Sequence, residues 1–144
     1  MTSQMAAAQA SDEKDVLIRV ADTAVDTYGY RNEAGKMIVP MGKYPICITD
    51  TFRYFAIVID TAGRLIAIDR QFHVLYSVFI FDNGPDEPAD GLFRITIAGK
   101  IGYADAANGK IAIMTQFACA WPFENGVAKV ALSCKTHSDG EHSS

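Results

Sequence analysis

Carboxylates are the residues in this chain best placed for chemistry. The stretch Asp82-Asn83-Gly84-Pro85-Asp86-Glu87-Pro88-Ala89-Asp90 packs four of them around two prolines. Oxygen ligands at that density suit a hard cation, but the spacing of a calcium loop is missing and no metal is assigned. A solvated, proline-stiffened loop is the plainer reading. Such an insertion is also where partner specificity is grafted onto a regular scaffold. Asp82, Asn83, Asp86, Glu87 and Asp90, with the preceding Phe81, are therefore the candidate partner-binding residues. Asp50, Asp60, Asp69 and Asp105 sit singly at expected turns, where carboxylates accept backbone N–H bonds. Acid–base hydrolysis would need two of Asp50, Asp69, Asp82 and Asp105 to converge in one cleft, which the spacing does not require. A small hydrolase is the alternative reading.

Thiols and imidazoles add little chemistry. Cys47, Cys119 and Cys134 form no metal-type pair, and their odd count leaves at least one thiol free or intermolecular. Cys134, His137, Asp139, Glu141 and His142 form a tail cluster of possible ligands. Zinc needs a rigid tetrahedral set, which a Ser/Gly-rich segment does not offer. His73, in the apolar run Gln71 to Tyr76, reads as an outward or satisfied core histidine. No nucleophile–base constellation or phosphate-cradling glycine loop is present. No catalytic residue and no cofactor is assigned, and the chain is not expected to be an enzyme.

A net charge of -4 disfavours nucleic acid, which requires a basic footprint, and equally an anionic membrane surface. No apolar run approaches the roughly 18 residues of a membrane span. Ala8-Gln9-Ala10 before Ser11 has the small-x-small form of a cleavage site without the preceding basic and apolar regions. It is either a trimmed secretory leader or an Ala-rich tail. The former would place the protein in a periplasm or outside the cell, and otherwise it is cytoplasmic.

These residues need a scaffold, and the scaffold repeats. Gly63-Arg64-Leu65-Ile66-Ala67-Ile68-Asp69 recurs as Gly99-Lys100-Ile101-Gly102-Tyr103-Ala104-Asp105, 36 positions later. Gly91-Leu92-Phe93-Arg94-Ile95 matches Gly126-Val127-Ala128-Lys129-Val130 at 35, and Ala56-Ile57-Val58 precedes Phe93-Arg94-Ile95 by 37. Three units follow, at about 25–62, 63–98 and 99–134. Gly or Asn-Gly interrupts runs of β-branched and aromatic residues, the pattern of an antiparallel meander. The expected fold is all-β: hairpin repeats packed around one core in a single domain, 14–134. Residues 1–13 are a disordered segment or leader remnant, and 135–144 a flexible tail.

Register can be written for the last hairpin. A two-residue Asn125-Gly126 turn sets Phe123 opposite Ala128, Trp121 opposite Val130, Cys119 opposite Leu132 and Phe117 opposite Cys134, all on one face. That face, Trp121 included, is expected to be buried. Cys119 and Cys134 are then diagonal and read as buried free thiols unless a bulge intervenes. The strands carrying Phe79-Ile80-Phe81 and Tyr54-Phe55 put aromatics on both faces. They are expected to be sandwiched; the other reading exposes one ring of each as a contact patch.

The third unit resembles the WG-repeat family of bacterial β-repeat proteins. It shows Gly99-Lys100-Ile101-Gly102-Tyr103-Ala104-Asp105, then Gly109-Lys110-Ile111-Ala112-Ile113, then Phe123-Glu124-Asn125-Gly126-Val127-Ala128-Lys129-Val130. The first unit keeps Tyr28-Gly29-Tyr30 and Gly35-Lys36-Met37-Ile38-Val39-Pro40, whereas the second has Ile66-Ala67 in place of Gly-Tyr. The family's tryptophan is replaced by Tyr28, Leu65 and Ile101. The resemblance implies stacked hairpins and a binding or scaffold role, and supplies no catalytic residue. The expected function is non-enzymatic recognition of a macromolecular, protein partner, as a periplasmic or secreted binder or inhibitor.

Overall fold

The computed structural model describes residues 15–134. The cleavage-like motif at residues 8–11 and the tail cluster at 137–142 lie outside the described residues. The described chain is all-β and antiparallel, as its strand-forming runs and glycine punctuation dictate. It divides at Val78/Phe79 into two compact units.

The first unit contains β1 (Leu17–Asp22), β2 (Thr27–Arg31), β3 (Met37–Val39), β4 (Ile46–Cys47), β5 (Thr51–Phe52), β6 (Ala56–Ile59), β7 (Leu65–Ile68) and β8 (Val74–Val78). They run in the orders β3-β2-β1-β5 and β8-β7-β6-β4. Leu17, Tyr30, Val39, Cys47, Phe52 and Ile68 are among the buried side chains of its apolar cluster. Each large member contributes about 1.5–3 kcal/mol by leaving water. The second unit contains β9 (Ile80–Phe81), β10 (Gly84–Pro85), β11 (Leu92–Ile97), β12 (Lys100–Asp105), β13 (Ile111–Phe117), β14 (Cys119–Ala120) and β15 (Val130–Ala131). In it β11-β12-β13 form a meander, while β9 pairs with β10 and β14 with β15. Its cluster joins Ile101, Tyr103 and Ala120 to half-buried Phe79, Phe117 and Phe123.

Three meanders, β1-β2-β3, β6-β7-β8 and β11-β12-β13, share one register. Arg19 pairs with Tyr30, Ile57 with Ala67, and Arg94 with Tyr103 across the first two strands. The second strand then meets the third as Tyr30–Val39, Ala67–Tyr76 and Tyr103–Ile113, each followed at once by a bulge. The hydrogen-bonded unit is out of phase with the unit read from sequence. It takes the closing strand of one copy and the opening two strands of the next, because Gly63 and Gly99 are turns inside a meander. Spacing reports the period of a repeat, and only strand pairing reports where to cut it.

Beside two of the bulges the third strand closes tightly on glycine. A Cβ on Gly29 would lie 2.6 Å from the Val39 carbonyl oxygen, and one on Gly102 2.5 Å from that of Ile113. In the middle meander the ladder continues at Ile66–Ser77, and a full side chain stands at the equivalent position.

Candidate partner-binding surface

Where Gly-Tyr is kept, arginine and tyrosine build the same cage. The Tyr30 hydroxyl donates to the Thr49 carbonyl at 2.8 Å, and its ring meets Phe52 edge-on at 4.9 Å. The Tyr103 hydroxyl donates to the Trp121 carbonyl at 2.8 Å, and its ring meets Phe123 edge-on at 4.9 Å. Burial pushes both phenols above their ordinary pKa, Tyr30 the further, aided by the Cys47 thiol beside it. Arg19 Nη1 donates to the Cys47 carbonyl at 2.8 Å, and Arg94 Nη1 to that of Ala120 at 3.0 Å.

The carboxylate partners differ. Arg19 pairs with Asp50, whose side chain is 79% exposed. Arg94 pairs with Asp86, whose side chain is 4% exposed. Asp86 accepts from Arg94 Nη2 at 2.6 Å, from Nε at 3.1 Å and from the Arg94 backbone N–H at 2.8 Å. The guanidinium also lies 4.1 Å from the Phe79 ring centre and 5.6 Å from that of Phe81.

This hub shapes the acidic segment. Asp82 and Asn83 take φ of 57° and 68°, turning β9 into β10 as a short hairpin with both side chains in water. Glu87 is exposed, and the Asp90 carboxylate accepts the Gly126 N–H at 2.7 Å. Asp86 corrects the expectation of a solvated loop: it is buried and saturated by Arg94, and so does not lie on the candidate surface. Ile80 and Phe81 are 62% and 58% exposed, so the expected sandwiching fails here. Tyr54 is likewise exposed and Phe55 half-buried. The two-residue strand β9 has no sheet to cover its second face, and Tyr54 and Phe55 lie in the bend between β5 and β6 rather than in a strand, so one ring of each pair stands exposed.

The last hairpin also departs from its expected register. Glu124–Val127 pair as counted, but beyond them Ala120 pairs with Val130 and Cys119 with Ala131, one residue out of step. Beyond Ala131 the ladder ends and the chain bends at Leu132 and Ser133, and Cys119 and Cys134 stand at a Cα separation of 5.7 Å in a disulfide, so they are not the free thiols expected. The slip turns Trp121 outward, 41% exposed with the Lys129 ammonium 4.9 Å from its ring, where burial was expected. Val127, Val130 and Leu132 are exposed beside it. Phe117, Phe123 and Ala128 keep their expected place against the core.

Of the four aspartates considered for hydrolysis, Asp50, Asp69 and Asp105 hold other partners and Asp82 stands exposed. Asp69 accepts the Gln71 and His73 N–H groups and the His73 ring, which is itself exposed. Burial raises its pKa, but those bonds outweigh it and hold the carboxyl below its ordinary value. Asp105 accepts the Ala107 N–H in its own turn. Among the described residues no group of three or more His, Cys, Asp or Glu is placed to hold a metal.

Sequence reasoning missed Arg94. The signal existed: counting Ala98-Gly99 as a two-residue turn sets Arg94 opposite Tyr103, as observed. No family model, curated protein or solved structure matches this chain.

Proposed function

We propose that this protein is a non-enzymatic β-repeat binding module that recognises a protein partner through the β9–β10 hairpin and its acidic rim. The observation that carries the reading is Phe81, more than half exposed on a hairpin whose following segment is anchored by the buried Asp86–Arg94 pair. An apolar ring held rigidly in water loses little conformational freedom on binding and gains the burial of its face. Ile80 extends the patch, and Asp82, Asn83 and Glu87 give it a polar, acidic border suited to a basic partner surface. The WG-repeat resemblance supports a scaffold role, and the twice-built Gly-Tyr cage is where that resemblance resides. The Cys119–Cys134 bridge supports an oxidising compartment, periplasmic or extracellular.

Affinity capture from the native extract, comparing the parent protein with a Phe81→Ser, Glu87→Lys double variant, tests the proposal. The variant keeps Asp86, because removing it would strand Arg94. Loss of a captured protein by a variant that still unfolds cooperatively is the expected result. Identical capture by both proteins would remove this hairpin from the interface.

A further inference from the structure

The turn that opens β11 occurs a second time. Asp90-Gly91 has φ of 54° and 77°, and Asn125-Gly126 has 54° and 83°. The flanking residues exchange both backbone bonds in each case, Ala89 with Leu92 and Glu124 with Val127. Counting from the two turns, Lys129 stands where Arg94 does and Val130 where Ile95 does. The backbone agrees. The Arg94 carbonyl accepts the Phe79 N–H at 3.1 Å, and the Lys129 carbonyl accepts the Trp121 N–H at 2.9 Å. By strand alternation, the next residue turns its N–H and C=O the other way. For Ile95 that way is toward Gly102 of β12. For Val130 it is the outer edge, since β14 is the only ladder partner of β15 among the described residues.

The chain thus shows what covers a strand of this kind. In both intact copies the neighbour is antiparallel, with tyrosine opposite arginine and glycine opposite the adjacent aliphatic residue: Tyr30 and Gly29 against Arg19 and Val20, Tyr103 and Gly102 against Arg94 and Ile95. β15 and the residue before it carry the matching half, with Val130 and Lys129 in place. Val127 and Leu132, each 70% exposed, extend an apolar edge unlike the guarded edges of most sheets. Residues 135–144 contain no Phe, Tyr or Trp with which to complete it.

We infer that the outer edge of β15 accepts an extended strand of a protein partner, added antiparallel with an aromatic residue opposite Lys129 and a small residue opposite Val130. This rests on the binding-protein reading and specifies how a partner strand is gripped.

A synthetic peptide copying residues 98–106, which contain the Gly102-Tyr103 pair, is the probe. It is titrated into the intact, disulfide-bonded protein while the fluorescence of Trp121, the chain's sole tryptophan, is followed. The expected result is a saturable blue shift, weakened at least tenfold when the peptide carries Tyr103→Ala. Val130→Pro removes the outward N–H and leaves the carbonyls that hold β14, so that protein loses the response. Should it fail to fold, an N-methylated glycine at the Gly102 position of the peptide blocks the same pairing from the other side. No response at millimolar peptide overturns the inference, as does a response that survives the block. A dimer that forms without peptide and is dispersed by Val130→Pro would also overturn it, assigning the edge to a second copy. Phe81→Ser leaves the peptide response intact, so this inference and the proposed hairpin interface fail separately.

Discussion

Arg19 and Arg94 stand opposite tyrosines in the same register, and each donates to a backbone carbonyl. Arg19 keeps its carboxylate in water, whereas Arg94 takes Asp86 out of it. An exposed pair adds little, because solvent screens the attraction and freeing the side chains restores entropy. A buried pair gains much from contact but loses hydration on both sides, so its net worth depends on saturated geometry. Asp86 meets that condition with three bonds from a single arginine. The consequence is positional: the buried side-chain pair fixes the segment after β10 against β11, whereas Asp50 is held through its backbone, its carbonyl accepting the Arg19 N–H at 2.8 Å. The middle meander gives a third outcome. Ile57 and Ala67 occupy the arginine and tyrosine positions, showing that the register survives without the cage.

The sharpest test of this contrast is to delete each acid. Asp86→Ala should cost about 3–5 kcal/mol by leaving a buried guanidinium uncompensated. Asp50→Ala should cost about 1 kcal/mol or less. Denaturant titration followed by circular dichroism measures both, and equal losses would mean that burial is not what separates the two cages. The next effect belongs to the second unit alone. Cys119→Ser with Cys134→Ser should destabilise it by about 3 kcal/mol, the chain-entropy value for a loop of this size. Differential scanning calorimetry should show the loss in the transition that carries Trp121 fluorescence.

The smallest effect compares the two phenols. Tyr30→Phe and Tyr103→Phe each forfeit one hydrogen bond, about 1 kcal/mol near neutral pH. Burial raises both tyrosine pKa values, so the folded state holds its phenolic protons more tightly than the unfolded chain. That contribution is fully present below about pH 10 and declines as pH rises further. The Phe variants escape this alkaline loss, and Tyr30→Phe, replacing the more strongly raised group, should escape the more. An unchanged pH dependence of stability in both variants would show that neither phenol ionises as argued.

Much of the fold could be read from residue order, because the repeat period and the glycine turns are local signals. Gly126 adopts positive φ at the turn expected from sequence, and Gly35, Gly63 and Gly109 do so where glycine interrupts the strand-forming runs. Asn125-Gly126 forms its two-residue turn with both residues at positive φ, and the pairing next to it follows. Trp121 escaped because the register slips by one between that pair and Ala120–Val130, and no residue type announces a slip. The candidate surface was half legible. Phe81, Asp82, Asn83 and Glu87 lie outward as a polar turn after an apolar strand suggests. Asp86 could not be distinguished from them, since its inward turn depends on a guanidinium eight residues away across the hairpin.

Cys47 gives the bridge a bearing on how the chain matures. An unpaired thiol in the same polypeptide invites scrambling, in which a thiolate attacks the wrong sulfur and traps a mispaired isomer. Cys47 is buried in the first unit, and that burial raises its pKa and depletes the attacking anion. It also precedes the other two cysteines in synthesis, so consolidation of the leading half removes the competitor before Cys119 and Cys134 need to find each other. Oxidative refolding from a fully reduced, unfolded chain lacks that order and is where non-native pairings with Cys47 should accumulate.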